Sequence, residues 1–280
     1  MNVFDDRSCG LGEGPLWHPE RQQLFWFDIV GKRLMTRDSE GPKSWEFNDM
    51  VSAAGWVDAE TLLIASEKAL LRFDIASGES EPVSLVEHDK AGTRSNDGRA
   101  DPHGGFWIGT MGKRAQPGAG AIYRFYGGHV DRLYSDVTVS NAICFAPDGR
   151  TAYFADTAVM KIMRQPLDAE GWPKGKPEVF VDLSKAGLRP DGAVVDAEGA
   201  LWNAQYGAGR VARYLPDGSF DREIAIDASL TTCPAFGGPD FATLYVTTAR
   251  QGLKSPSKGD GAVYDGPAGV AGRPEPRVKL

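Results

Sequence analysis

Apolar and aromatic residues fall along this chain in short runs, each opened by a turn. The runs are Leu24-Phe25-Trp26-Phe27, Leu62-Leu63-Ile64, Phe106-Trp107-Ile108, Ala152-Tyr153-Phe154, Leu201-Trp202 and Leu244-Tyr245-Val246. They are short, rich in aromatic and β-branched residues and bounded by Gly, Pro and Asp, so they predict strands. No segment of helical length carries a 3.6-residue apolar period. The turns ahead of the runs are alike: His18-Pro19-Glu20, Asp58-Ala59-Glu60, Asp101-Pro102-His103-Gly104, Ala146-Pro147-Asp148-Gly149, Asp196-Ala197-Glu198-Gly199 and Gly238-Pro239-Asp240. They recur roughly every 40–50 residues, the period of propeller blades. Behind each run lies a second apolar strand, usually carrying Arg near its end, as in Gly120-Ala121-Ile122-Tyr123-Arg124 and Arg210-Val211-Ala212-Arg213. A Gly-, Asp- or Pro-bearing turn follows it and reads as a hairpin.

Six such units predict an all-β, six-bladed β-propeller with a central metal site, spanning residues 1–280 as one domain. A strand around Val3-Phe4 is the candidate to close the ring on the last blade. The tail 266–280, rich in Gly and Pro, is expected to be loosely ordered and to add little to the core. A β-sandwich or a pair of small barrels would require six in-phase turns by coincidence.

Five residues upstream of each turn stand Glu13, Ala53, Asn96, Asn141, Asp191 and Cys233. In a propeller the innermost strands line the channel, so these six positions converge at one end. Four carry oxygen donors. Glu13, Asn96, Asn141 and Asp191 form a hard-ligand set suited to Ca²⁺, Mg²⁺ or Mn²⁺. A lone Asn or Asp before a strand commonly caps backbone amides, but four at one phase favour ligation. Flanking Gly12, Gly14, Gly98 and Gly192 permit close backbone approach. Arg94, Asn96 and Asp97 lie within four residues of one another and suit a polyhydroxylated or anionic ligand. The histidines His18, His88, His103 and His129 are scattered, giving no zinc cluster; His18 and His103 fall in turns, where a surface position is expected.

Composition narrows the partners. The net charge of −7 argues against nucleic acid, which demands concentrated Lys and Arg. No apolar run is long enough for a membrane span, and the acidic start Met1-Asn2-Val3-Phe4-Asp5-Asp6 lacks the pattern of a secretory signal. Three dispersed cysteines (Cys9, Cys144, Cys233) suit a reducing compartment, so a cytoplasmic location is expected. Oligomeric state stays open. No Gly-x-Ser-x-Gly elbow supports a serine esterase, and Gly118-Ala119-Gly120 and Gly207-Ala208-Gly209 read as hairpin turns rather than nucleotide loops.

The segment Leu11-Gly12-Glu13-Gly14-Pro15-Leu16-Trp17 resembles the opening signature of the SMP-30/gluconolactonase family, which includes regucalcin and bacterial sugar lactonases. Arg94-Ser95-Asn96-Asp97-Gly98 with Asp101-Pro102, Gly109-Thr110-Met111, Ser140-Asn141, Pro190-Asp191-Gly192, Gly199-Ala200-Leu201-Trp202 and Phe236-Gly237-Gly238 follow in family order. Each is weak alone and the set is specific. The resemblance implies one divalent cation in the channel, Ca²⁺ first and Zn²⁺, Mn²⁺ or Mg²⁺ as alternatives, with Glu13, Asn141 and Asp191 as its ligands. It implies a sugar lactone as substrate, contacted by Arg94 and Asn96 with Asp97 beside them. One loop departs: where regucalcin-like members place an acid, this chain reads Gly112-Lys113-Arg114-Ala115-Gln116-Pro117, closer to bacterial sugar-acid lactonases of the arabinolactonase type.

The expected chemistry is lactone hydrolysis, with the cation as Lewis acid, Asp191 as general base and Asp97 in reserve. The competing expectation is a non-enzymatic propeller, either a scaffold or a calcium-binding protein, because fold alone does not decide function. A strictosidine-synthase-like propeller shares the fold but suits the Glu-Asn-Asp triple less well. Cys233, with no base near it in sequence, is expected to be a wall residue rather than a nucleophile.

Overall fold

The computed structural model describes residues 1–280 as six four-stranded antiparallel sheets. The first strands of successive sheets pack side by side around a common axis, and the sixth returns to the first. These inner strands are Gly12–His18, Val51–Asp58, Thr93–Ala100, Ser140–Phe145, Arg189–Val195 and Leu230–Gly237. They are almost wholly buried, whereas outermost strands such as Gly41–Glu46 and Phe220–Ala225 alternate exposed with half-buried residues. That gradient is the one expected when polarity rises from channel wall to rim. The only helical element is the single 3₁₀ turn Ser184–Ala186.

The core is divided, with one apolar cluster between each pair of neighbouring blades. Phe25, Phe27 and Leu34 meet Leu62, Ile64 and Phe73 between blades one and two, and Trp202 and Val211 meet Phe236 and Val246 between blades five and six. Ring closure follows the expected route: Asn2–Asp5 pairs with Val263–Pro267 as the outer strand of blade six, Val3 opposite Tyr264. Trp17 and Trp26 of blade one then pack with Tyr245 and Val263 of blade six.

The repeated turn and the repeated Arg turn out to be one device. Asp101 Oδ1 accepts from the backbone N–H groups of His103 and Gly105, tying the turn, while Oδ2 accepts from Arg124 Nε at 2.7 Å. Asp196 does the same with Glu198, Ala200 and Arg213. The Asp101–Arg124 pair is fully buried, so loss of either partner strands a charge in the core.

Two expectations are corrected here. The tail 266–280 is not loose. Gly272 N–H donates to Phe241 O, Trp56 Nε1 to Glu275 O at 2.7 Å, Val278 N–H to Trp56 O and Lys279 N–H to Gly104 O. Val278 is fully buried in the cluster between blades two and three. The Gly- and Pro-rich composition serves close contact rather than looseness: a Cβ on Gly272 would lie 2.1 Å from Phe236. The tail thus crosses the turn end of the ring. His18, placed in a turn by sequence, ends a strand instead; it is fully buried, with Nε2 3.0 Å from Asp58 O.

Candidate functional site

At the end of the ring away from the tail, a cavity of about 470 Å³ opens to solvent, within the range of small-molecule sites. The strand geometry explains how side chains reach it. In all six blades the pairing between the first and second strand slips near the same phase, for example between Glu13 and Leu16, Asn141 and Cys144, and Pro190 and Ala193. A bulge adds one residue and re-aims its neighbours. Gly14 follows Glu13 with φ of 53°, and a Cβ there would lie 2.2 Å from Ser52 O, so only glycine fits. Ala142 takes the same left-handed conformation after Asn141 without being glycine, a strained position of the kind found at functional sites.

Glu13, Arg94, Asn96, Asn141 and Asp191 all line this cavity. Glu13 and Asp191 are 4% and 6% exposed and lie within hydrogen-bond reach of each other. Burial first, and then charge repulsion from Asp97, raises Glu13 to about 8; Glu13 Oε2 also accepts from Gly14 N–H at 2.9 Å. Asp191 is pushed well above the usual carboxylate range by burial and by Glu13. Arg94 beside them is held below the usual guanidinium range by burial, with Glu13 and Asp191 acting in the opposite direction.

A hydrogen-bond chain orients the amides. Arg94 Nη1 donates to Asn96 Oδ1 at 2.7 Å, and Asn96 Nδ2 donates to Ser140 O and to Asn141 Oδ1 at 3.1 Å. Asn141 Nδ2 donates to Thr157 Oγ1, which donates to Pro190 O. Each amide oxygen accepts one hydrogen bond, Asn96 Oδ1 from Arg94 and Asn141 Oδ1 from Asn96, and each keeps a second lone pair. Glu13, Asn96, Asn141 and Asp191 thus bring side-chain oxygens to one cavity, while no group of three or more His, Cys, Asp and Glu side chains placed to hold a metal occurs here or elsewhere in the chain.

Asp97 departs from expectation. Successive residues of a strand face opposite sides, so Arg94 and Asn96 reach the cavity and Asp97 does not. Its Oδ2 accepts from Ile143 N–H at 2.7 Å, and burial raises the carboxyl to about 6 while Arg99 lowers it. It is buried beneath the site and is not among the residues that line the cavity. Ala53 and Cys233 hold the remaining equivalent positions without facing the cavity. The Cys233 thiol is buried, pushed well above its ordinary range by that burial, and lies against Gly192.

Sequence reasoning passed over Thr157, Arg189 and Tyr206, which also line the cavity. Arg189 was adjacent to a recognised motif, two residues before Asp191. Thr157 and Tyr206 lie at or just past the far ends of second strands, which meet the channel only through antiparallel pairing such as Arg189 with Tyr206.

A six-bladed propeller whose channel ends in a pocket of two buried carboxylates, an oriented amide and an arginine is the class that fold and site define. The chain belongs to the SMP-30/gluconolactonase/LRE-like family, whose sequence pattern matches residues 11–250. It is 40% identical to a putative sugar lactone lactonase of Rhizobium meliloti (strain 1021), over 99% of this chain and 97% of that protein. It is 32% identical to a 6-deoxy-6-sulfogluconolactonase of Pseudomonas putida, over 95% of this chain and 94% of that one. Among solved structures it is similar to a calcium-binding protein, regucalcin, from Agrobacterium tumefaciens str. C58. That likeness has a TM-score of 0.97 and 41% identity, and covers 99% of this chain and 97% of the other. No helix is long and apolar enough to cross a membrane.

Proposed function

We propose that this protein hydrolyses the intramolecular ester of a sugar acid, an aldonolactone, to the open-chain acid. The observation carrying this reading is the pair of buried, mutually repelling carboxylates, Glu13 and Asp191, set beside Asn141 and Arg94 in an open polar cavity. The names of its lactonase relatives agree with it. The donor set fits a divalent cation: three hard oxygens, two of them anionic and otherwise short of a counter-charge. Glu13, Asn141 and Asp191 would hold it, Ca²⁺ being the first candidate. When bound, it supplies Lewis-acid polarisation of the lactone carbonyl.

The chain's own groups account for the rest. Arg94 and the cavity wall hold the sugar hydroxyls and fix the ring, a positioning contribution. Asp191 takes a proton from the attacking water, whose oxygen bonds to the acyl carbon. The ring C–O bond then breaks and the departing ring oxygen receives that proton, leaving a hydroxyl and a carboxylic acid. Burial suits Asp191 to this task, since a carboxyl with raised proton affinity is the stronger base once ionised. Asn96, bonded to Arg94, Ser140 and Asn141, fixes the orientation of the Asn141 amide.

A non-enzymatic calcium-binding role has the name of one structural relative in its favour. A cavity of about 470 Å³ with an arginine beside the donors exceeds what a bare ion requires. The deciding experiment is pH-indicator turnover of an aldonolactone panel by protein stripped with EDTA and reconstituted with each of Ca²⁺, Mg²⁺, Mn²⁺ and Zn²⁺. Turnover restored by a cation is the expected result. Hydrolysis that EDTA leaves intact removes the cation from the mechanism, and tight Ca²⁺ binding with no hydrolysis of any lactone favours the ion-binding reading.

A further inference from the structure

The rim of the cavity carries a charge pattern that lactone hydrolysis alone does not require. Four cations line the cavity, Arg94, Lys113, Arg114 and Arg189, against only two carboxylates, in a chain where acids outnumber bases 38 to 31. Two of the four have partners. Arg94 sits beside Glu13 and Asp191 at the floor, and Lys113 Nζ is held by Glu67 Oε2 at 2.5 Å. Arg114 and Arg189 are exposed, and their guanidinium groups take no part in any ion pair or hydrogen bond. Arg114 nonetheless stands on a fixed loop: its N–H donates to Gln116 Oε1, Ala115 N–H to Gly112 O and Lys113 N–H to Gly92 O. Arg189 is locked at the head of an inner strand, opposite Tyr206. They project from blades three and five, either side of the blade that supplies Asn141 and Thr157.

We infer that Arg114 and Arg189 form an anion subsite, so that the substrate is an anionic lactone, one bearing a phosphate, sulfonate or carboxylate remote from the ring carbonyl. The inference rests on the lactonase reading and adds the substrate's charge to it. Two unpaired guanidinium groups facing one cavity raise its positive potential, and a cation at the floor raises it further; an oxyanion on the ligand relieves both. Guanidinium groups match such oxyanions in geometry as well as charge. The carboxylate that every lactone hydrolysis produces does not account for the pair. It forms at the floor beside the buried Glu13 and Asp191, whereas Arg114 and Arg189 stand at the solvent rim.

The test compares kcat/KM for a neutral aldonolactone with that for its 6-phospho, 6-sulfo and 6-carboxylate counterparts, which also separates the three anion sources. The wild type is expected to favour at least one anionic form by about tenfold or more, and less so as salt is added. Arg114→Gln combined with Arg189→Gln should bring the ratio close to one, while the Lys double variant retains most of the preference. A wild type that prefers the neutral lactone, or a ratio unmoved by the Gln double variant, overturns the inference and leaves the lactonase reading standing. If no lactone is turned over, calorimetric titration with 6-phosphogluconate decides separately. Binding weakened about tenfold in the Gln double variant upholds the subsite while the lactonase reading falls, and equal binding removes the subsite.

Discussion

The two ends of the central channel are walled by the same six inner strands and are opposite in character. At one end the strands present Glu13, Asn96, Asn141 and Asp191 to an open cavity. At the other, residues 271–279 lie across the turns, with Glu275 paired to the nearly buried Arg99 and Val278 seated under Trp56. Arg99 also donates to the Ile143 and Ala193 carbonyls of blades four and five, so the seal grips several blades at once. The difference teaches that a ring of repeats does not by itself make a site. One end needs a stopper so that the buried charges of the other are reached from a single side.

The sharpest way to break the comparison is Asp191→Asn. Lactone turnover should fall by about 10²–10⁴-fold, while the melting temperature without cation holds or rises, because one of two repelling buried carboxylates is gone. Wild-type kcat in this variant with the cation bound would falsify its role as base. At the sealed end the expected effect is on stability. Glu275→Ala removes the ion-pair partner of Arg99 and leaves it with Asp97 as its acidic neighbour, and should cost about 2–4 kcal/mol by urea unfolding. Arg99→Met should cost at least as much, because it also leaves the buried Asp97 without a cation. Val278→Ala removes two buried carbon groups from one inter-blade cluster and should cost about 1–2 kcal/mol in the same assay, with little change in KM.

A pH series in EDTA sharpens the contrast further. Glu13 is raised to about 8 from 4.5, and Asp191 is shifted the same way. The folded site thus binds protons more tightly than the unfolded chain. Its stabilising contribution is complete below about pH 4.5 and is lost as pH rises through about 8. The unfolding midpoint of the stripped protein should therefore decline over this window. The protection given by added Ca²⁺ should grow over the same window, since the cation displaces those protons. Glu13→Gln should flatten the decline, whereas Glu275→Ala should lower the whole curve and leave its slope unchanged.

Much of this was legible in the sequence because the repeat carries phase. A turn every blade and a strand period of two put Glu13, Asn96, Asn141 and Asp191 at one place on four inner strands, and the strand around Val3-Phe4 was the candidate to complete the last blade, as the pairing of Val3 with Tyr264 bears out. Nearness in sequence was a poorer guide one residue on, at Asp97. Its neighbours Arg94 and Asn96 suggested a shared ligand, but alternation sends Asp97 beneath the cavity to Ile143. Composition misled at the tail, where Gly and Pro were read as looseness although Gly272 packs against Phe236 and the Glu275 carbonyl accepts from the Trp56 indole.

The sequence by itself determined the blades, their number and the four oxygen-bearing inner-strand positions Glu13, Asn96, Asn141 and Asp191, because each follows from local periodicity repeated in register. Only the tertiary structure decided which donors face one another, how the amides are oriented, and which end of the channel is closed. Those outcomes depend on contacts between residues far apart in the chain, such as Asn96 with Asn141 and Arg99 with Glu275. Local pattern carries no record of contacts that exist only once the ring has closed.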